Sequence, residues 1–247
     1  MKNQRKRMFL LFTTLIVAVT VANITLSGQD RQTPSTNEVM TEKQKEHSKL
    51  YKEYKVGKKL REVAEETPGT EVGVIKGIRE KTFNPDSAPF DLHSFLKNLT
   101  CDADAIVIGV IKDQSSQLTE DEDFVFTDYK MSVEQILKDN ASSPIQLTSG
   151  LTISRPGGIV QLNNKRVRAL DESLEPLSIG HRYVLFLKHI PATGSYKAFD
   201  SYGSFQLSDK KILKLTKESL PRKLETGNDA GSLFSEIRNA SPIPCYK

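Results

Sequence analysis

Residues 105–111 read AIVIGVI. A run this short, apolar and mostly β-branched predicts a strand covered on both faces, since a buried helix needs a longer stretch. Downstream of it the pattern stays β. From Phe124 to Leu137 the apolar positions are Phe124 and Phe126, then Tyr129, Met131 and Val133, closing on Ile136 and Leu137. The change of parity between Phe126 and Tyr129 predicts a bulge near Thr127 and Asp128. Residues 145–154 alternate Ile145, Leu147, Leu151 and Ile153, with a break at Ser149-Gly150. Arg155-Pro156-Gly157-Gly158 is a turn signal, because proline presets φ and glycine admits positive φ. Val160, Leu162 and Val167 mark a further stranded stretch, and residues 182–190 (RYVLFLKHI) form the strongest apolar strand. Residues 196–207 read as a closing hairpin around 200–203. Roughly six short strands with glycine-rich turns predict a small sandwich or a closed barrel.

Upstream, the domain opens with a helix. Leu92, Phe95, Leu96 and Leu99 fall at i, i+3, i+4 and i+7, with Asp91 as its N-cap. Residues 46–66 are helix-forming, with a loose stripe of Leu50, Tyr54, Leu60, Val63 and Ala64 weakened by Gly57 in its middle and stopped by Thr67-Pro68-Gly69. Residues 29–45 are polar and read as a disordered spacer. Before it, residues 1–28 carry Lys2, Arg5, Lys6 and Arg7 and then the uncharged stretch 8–26, MFLLFTTLIVAVTVANITL. Basic residues held on the cytoplasmic side of an apolar segment predict export of the chain beyond it. The segment is a signal peptide, cut after Ala22 or near Gly28, or an N-terminal membrane anchor spanning with residues 8–26. The expected divisions are therefore 1–28, the spacer 29–45, a helical or irregular linker 46–90, a helix plus β-barrel domain 91–215, and a tail 216–247 packed back on the barrel. Within that tail, 229–238 predicts one short helix.

The four leader cations account for the whole net charge of +4: the other 31 of the 35 basic residues meet 31 acidic ones. There is no Trp, and the seven Tyr are scattered. A neutral body without a basic face or an aromatic platform excludes nucleic acid as the expected partner. Two cysteines, Cys101 and Cys245, predict a disulfide in an exported chain. The four histidines, His47, His93, His181 and His189, show no metal-ligand spacing, and only His93 lies near a cysteine. Glu120 to Asp123 reads as a solvated hairpin turn, with no calcium loop around it. No nucleophile elbow and no phosphate-cradling loop is present in the sequence. No catalytic, cofactor-binding or metal residue is nominated.

From Cys101 to about Leu207 the order of segments resembles the netrin-like modules and tissue inhibitors of metalloproteinases. The residues that carry the likeness are Cys101 before the first strand, then Ala103 to Gly109. The Tyr-x-x-x-Val strand ending in Leu-Lys comes next at Tyr129 to Lys138, and a Leu-x-x-Gly-x-x-Tyr-x-Leu-Phe segment runs from Leu177 to Phe186. The resemblance implies a mainly β fold: a small OB-like, netrin-like closed barrel with flanking helices, preceded by the membrane or signal helix. It carries no inhibitory residue across, because those inhibitors use a free N-terminal cysteine and Cys101 lies deep in the chain. The expected protein is thus an exported cell-envelope protein with a non-catalytic binding or scaffold module. It meets an extracytoplasmic protein or glycan and lies outside the cytoplasm, anchored or secreted. The alternatives are a netrin-like protease inhibitor and an enzyme whose site is assembled from loops.

Overall fold

The computed structural model describes residues 40–54, 57–76, 92–171, 174–199, 203–208, 211–214 and 230–240. The leader, most of the spacer, the Asp91 cap and Cys245 lie outside the described residues. No helix among the described residues is long and apolar enough to cross a membrane.

The elements in chain order are α1 (Glu42–Lys49), α2 (Leu60–Glu66), β1 (Glu71–Lys76), α3 (Leu92–Asp102), β2 (Ala105–Leu118), β3 (Val125–Lys138), β4 (Leu151–Pro156), β5 (Gly158–Leu162), β6 (Lys165–Asp171), β7 (Arg182–Ile190), β8 (Ser195–Ala198), β9 (Ser204–Ser208), β10 (Lys211–Lys214) and α4 (Ala230–Ala240). They form two sheets, one ordered β1-β6-β5 and one β10-β9-β7-β2-β3-β4-β8. In the larger sheet β8 pairs with two strands. It runs parallel to β4 at Ile153 and Tyr196, and antiparallel to β7 from Leu187 and Ala198 to Ile190 and Ser195. The strands β7, β2, β3, β4 and β8 are therefore hydrogen-bonded in a closed ring.

The AIVIGVI run lies at the centre of this arrangement. Alternate residues of β2 and β7 serve two cores, which is why both strands read as continuous apolar runs. Ala105, Val107, Tyr183, Leu185 and Leu187 face one cluster with Tyr129, Met131, Val133, Leu151, Ile153 and Tyr196. Ile106, Ile108, Val184 and Phe186 face another, where α3 supplies Phe95, Leu96 and Leu99 and α4 supplies Leu233 and Ile237. β2 then continues well past Ile111, to Leu118, through a polar half that carries no apolar signal. That half is held by pairing with β3, from Asp113 opposite Lys130 to Leu118 opposite Val125.

The expected bulge at Thr127 and Asp128 is corrected. These two residues pair regularly with Ser116 and Ser115, and the register shifts lie nearer the other end, between Ile106 and Val107, Ile108 and Gly109, and Ile111 and Asp113. The parity change has a different cause. Tyr129, Met131 and Val133 face the cluster inside the ring. Phe124 and Phe126 instead face a third cluster, with Tyr51, Tyr54, Leu60, Ala64, Val72, Val160, Leu162 and Val167. Three further readings change. Residues 145–150 are loop, and β4 begins at Leu151. The expected 196–207 hairpin does not form: β8 and β9 both pair with β7, and β9 hairpins with β10. The 46–66 helix is two helices, interrupted around Gly57 at φ 89°.

The turn after Pro156 is present and moves the chain from one sheet to the other. Gly157 has φ 88°. A Cβ on Gly158 would collide with Thr127 Oγ1 and Ser116 Oγ, so only glycine lets the chain cross β2 and β3 here. β5 and β6 then close a tight hairpin over Asn163 and Asn164, both at positive φ, as such two-residue turns require.

Asp104, between α3 and β2, ties these elements to β7. Its Oδ2 accepts the His189 N–H at 2.8 Å and its Oδ1 accepts from Lys188 Nζ at 3.0 Å. Burial works to raise its pKa, but the His189 N–H and the Lys188 ammonium outweigh it and hold the carboxyl below its usual range. A carboxyl with a depressed folded pKa stabilises the fold above its unfolded value and loses that contribution as acid protonates it. The stability gap between the wild type and Asp104→Asn is therefore expected to be full at neutral pH and to close below about pH 4, measured by urea unfolding across pH. A gap that does not change with pH would contradict this assignment.

Candidate functional site: a polar cleft beside a pinned helix

α1 begins with a reciprocal cap. Thr41 Oγ1 accepts the Gln44 N–H at 3.3 Å, and Gln44 Oε1 accepts the Thr41 N–H at 2.6 Å. Its sequence, EKQKEHSK, has no apolar stripe. Polar bonds hold it to the ring instead. His47 is fully buried. Its Nδ1 lies 2.8 and 2.9 Å from the two carboxylate oxygens of Asp128 on β3, and its Nε2 lies 3.0 Å from Thr193 Oγ1 in the turn between β7 and β8. Ser48 Oγ accepts the Glu120 N–H at 2.7 Å. Behind the helix, Tyr51 stacks on Phe126 at 5.7 Å and donates to Ser154 Oγ on β4 at 3.1 Å. Lys197 Nζ of β8 stands 5.9 Å from the Tyr51 ring centroid, and Tyr54 stacks on Phe124 at 4.9 Å. Residues 41–54 thus form a strap across β3, β4 and β8.

Carboxylate, imidazole and hydroxyl occur here in the order that activates a hydrolytic nucleophile. The surroundings give them another role. The imidazole has no exposed surface, and Thr193 Oγ1 also accepts the Ser195 N–H at 3.3 Å. With the proton on Nδ1, that nitrogen donates to the Asp128 carboxylate and Nε2 accepts from the Thr193 hydroxyl, so both ring nitrogens are satisfied, as a buried histidine requires. The chain Asp128–His47–Thr193 fastens α1 to the ring.

The strap frames one side of an open cleft of about 260 Å³. The other sides are the β3–β4 loop, the start of β4 and the start of β8. Its polar lining includes Lys43, Gln146, Ser149, Thr152 and Ser195. Lys43 Nζ donates to Thr152 Oγ1 at 3.2 Å. The loop is built from its own first residues: Asp139 Oδ1 accepts the N–H groups of Asn140 and Ile145, and Asn140 Oδ1 accepts that of Ser142. These are the side-chain turns that Asp and Asn favour. Tyr196 pins the floor, accepting from Asn140 Nδ2 at 3.3 Å and donating to the Ser143 carbonyl at 3.2 Å. Burial pushes its phenol pKa up, so it stays a neutral donor. Ser195 is 1% exposed, and its hydroxyl has no partner among the described residues. In the β3–β4 loop Leu147 is 54% exposed.

A second cavity, beside Tyr129, Arg155, Leu170 and Leu174, measures about 10 Å³. That is room for roughly one water molecule. Arg155 is buried there, donating from Nη1 to the Glu175 carbonyl at 3.2 Å, while Nη2 has no partner among the described residues. The cavity is a hydration site by its size, and the cleft is the candidate for a ligand.

The residues singled out in the sequence lie elsewhere. Cys101 lies in the last turn of α3, and no cysteine among the described residues is free. Its expected partner, Cys245, is outside them, so the pairing stays an expectation. His181 bonds to Gln206 Nε2 at 2.7 Å, and His189 lies beside Tyr196 at 5.2 Å between ring centroids. Glu120 to Asp123 forms the turn between β2 and β3, where Glu122 at φ 60° accepts from Arg61 Nε at 2.7 Å. Among the described residues no group of His, Cys, Asp or Glu is arranged to hold a metal. The residue that sequence reasoning misses is His47. It carries a signal all the same: His47, Tyr51 and Tyr54 recur at i, i+4 and i+7, one face of a helical path.

Replacing His47 with Ala leaves Asp128 and Thr193 facing a void. The expected cost is about 2–4 kcal/mol in urea unfolding. A double-mutant cycle with Asp128→Asn should give a coupling of about 1–3 kcal/mol. A cost near that of a surface substitution, under about 0.5 kcal/mol, would show that the pin carries nothing.

No protein-family model matches the chain, and comparison with curated proteins finds no match.

Proposed function

We propose that the chain is a non-catalytic binding or scaffold module of the cell envelope, an OB-like barrel of netrin-like type whose ligand seat is the cleft beside α1. The observation that carries the reading is the cleft itself: an open, polar hollow with a buried, unpartnered hydroxyl, Ser195 Oγ, in its wall. Strand connectivity supports the barrel. The ring β7-β2-β3-β4-β8, with β4 and β8 parallel, encloses one apolar cluster. OB-type barrels bind their ligands on the face of the second and third strands and the neighbouring loops. Here β3 and β4 occupy those places, and they carry the strap and the cleft. The basic, then apolar residues 1–28 support an extracytoplasmic location, with residues 8–26 holding the chain at a membrane or removed on export. The partner of the module is an extracytoplasmic protein or glycan.

Two measurements test this. The full chain in lipid nanodiscs, immobilised and exposed to an extracytoplasmic fraction, should retain a protein or glycan that the Gln146→Ala, Thr152→Ala, Ser195→Ala triple variant does not. Equal retention by both, or none by either, contradicts the reading. Export also favours a Cys101–Cys245 disulfide over two free thiols. Neither thiol should be alkylated in the unfolded chain until reductant is added, and alkylation without reductant would remove the disulfide from the account.

A further inference from the structure

Resting on the binding-module reading above, we propose that the cleft beside α1 receives one neutral sugar unit of a glycan, held by hydroxyl and amide groups. The lining decides the class. Ser143, Ser149, Thr152 and Ser195 bring hydroxyls and Gln146 an amide, groups that each both donate and accept. A ligand whose own hydroxyls do the same satisfies them in either sense.

Charge argues in the same direction. No carboxylate lines the cleft, and its one cation, Lys43, is engaged with Thr152 at 3.2 Å. A site for a phosphate or carboxylate is expected to offer Arg forks or converging cations, and none is present among the lining residues. A peptide that adds as a strand would need a free strand edge. At Ile153 and Ser154, β4 uses both edges, on β3 and on β8. Of the β4 residues that line the cleft, Leu151 and Thr152 pair with β3 alone, too short a stretch for an added strand.

The buried hydroxyl supplies the selectivity. Ser195 Oγ is buried without a partner among the described residues, a cost that a turn of this side chain into the cleft onto a ligand hydroxyl removes. A site with such a group rejects an analogue that lacks the matching hydroxyl far better than an apolar pocket would. A volume of about 260 Å³, open on one side, is below the range of about 300–1,000 Å³ for drug-sized ligands. It fits one ring, and the open side leaves room for the rest of a chain to run out into solvent.

The test uses the full chain in nanodiscs and saturation-transfer NMR. The probes are neutral oligosaccharides built from hexoses, deoxyhexoses and N-acetylhexosamines, an anionic oligogalacturonate, and an uncharged Gly-Ser-Ala-Gly peptide. At least one neutral oligosaccharide should receive saturation, concentrated on a single sugar unit. Ser195→Ala should weaken it about tenfold with a melting temperature equal to or above that of the wild type. Ser204→Ala, which removes a buried unpartnered hydroxyl elsewhere, should leave binding as it is. Absence of transfer to every neutral oligosaccharide overturns the sugar assignment. If the anionic oligomer or the peptide then binds in a Ser195-dependent way, the binding-module reading survives without it. If nothing binds, the sugar assignment falls and the retention experiment decides the binding-module reading.

Discussion

The double pairing of β8 is the constraint on which the rest of the structure depends. Four residues, Ser195–Ala198, bridge β4 on one side and β7 on the other. Without them the sheet from β10 to β4 would be open, and Tyr129, Met131, Leu151 and Ile153 would line a face of it with no opposite wall. With them the apolar cluster is enclosed, and the turn before β8 is brought against α1. The same short strand therefore closes the core and presents Thr193, Ser195 and Tyr196 to the site.

The strap is a second consequence. α1 is too polar to dock by burying apolar area, and a helix of eight residues is marginal alone. It is ordered by a buried histidine with both nitrogens satisfied, by a capping box and by two stacked tyrosines. Because Lys43 lies on this helix and in the cleft wall, the shape of the cleft depends on the pin. The site is assembled from three places far apart in the chain, around residues 43, 146 and 195.

Legibility of the fold in the sequence tracks the number of buried faces. β7 and α3 are readable nearly residue for residue, since each has a simple apolar pattern. The polar half of β2 is not, because its order comes from pairing with β3 rather than from burial. The parity change in β3 misleads for the opposite reason: Phe126 and Tyr129 are both buried, in different cores, so alternation is lost without a bulge. The Asn163–Asn164 turn has a signal that asparagine's tolerance of positive φ explains. The cleft has none. Serine, threonine and glutamine in a loop look like solvent-facing residues until the fold gathers them, and His47 looks like one more polar residue on a solvated helix.

Backbone amide hydrogen exchange on the full chain tests ring closure most directly. If β8 closes the ring, the amides of residues 195–198 exchange with those of β2 and β7, only through global unfolding, while the loop at 141–150 exchanges early. If the amides of β8 exchange by local opening while β2 and β7 remain protected, the ring is not closed in solution. The cleft and the strap would then lose the wall on which they both depend.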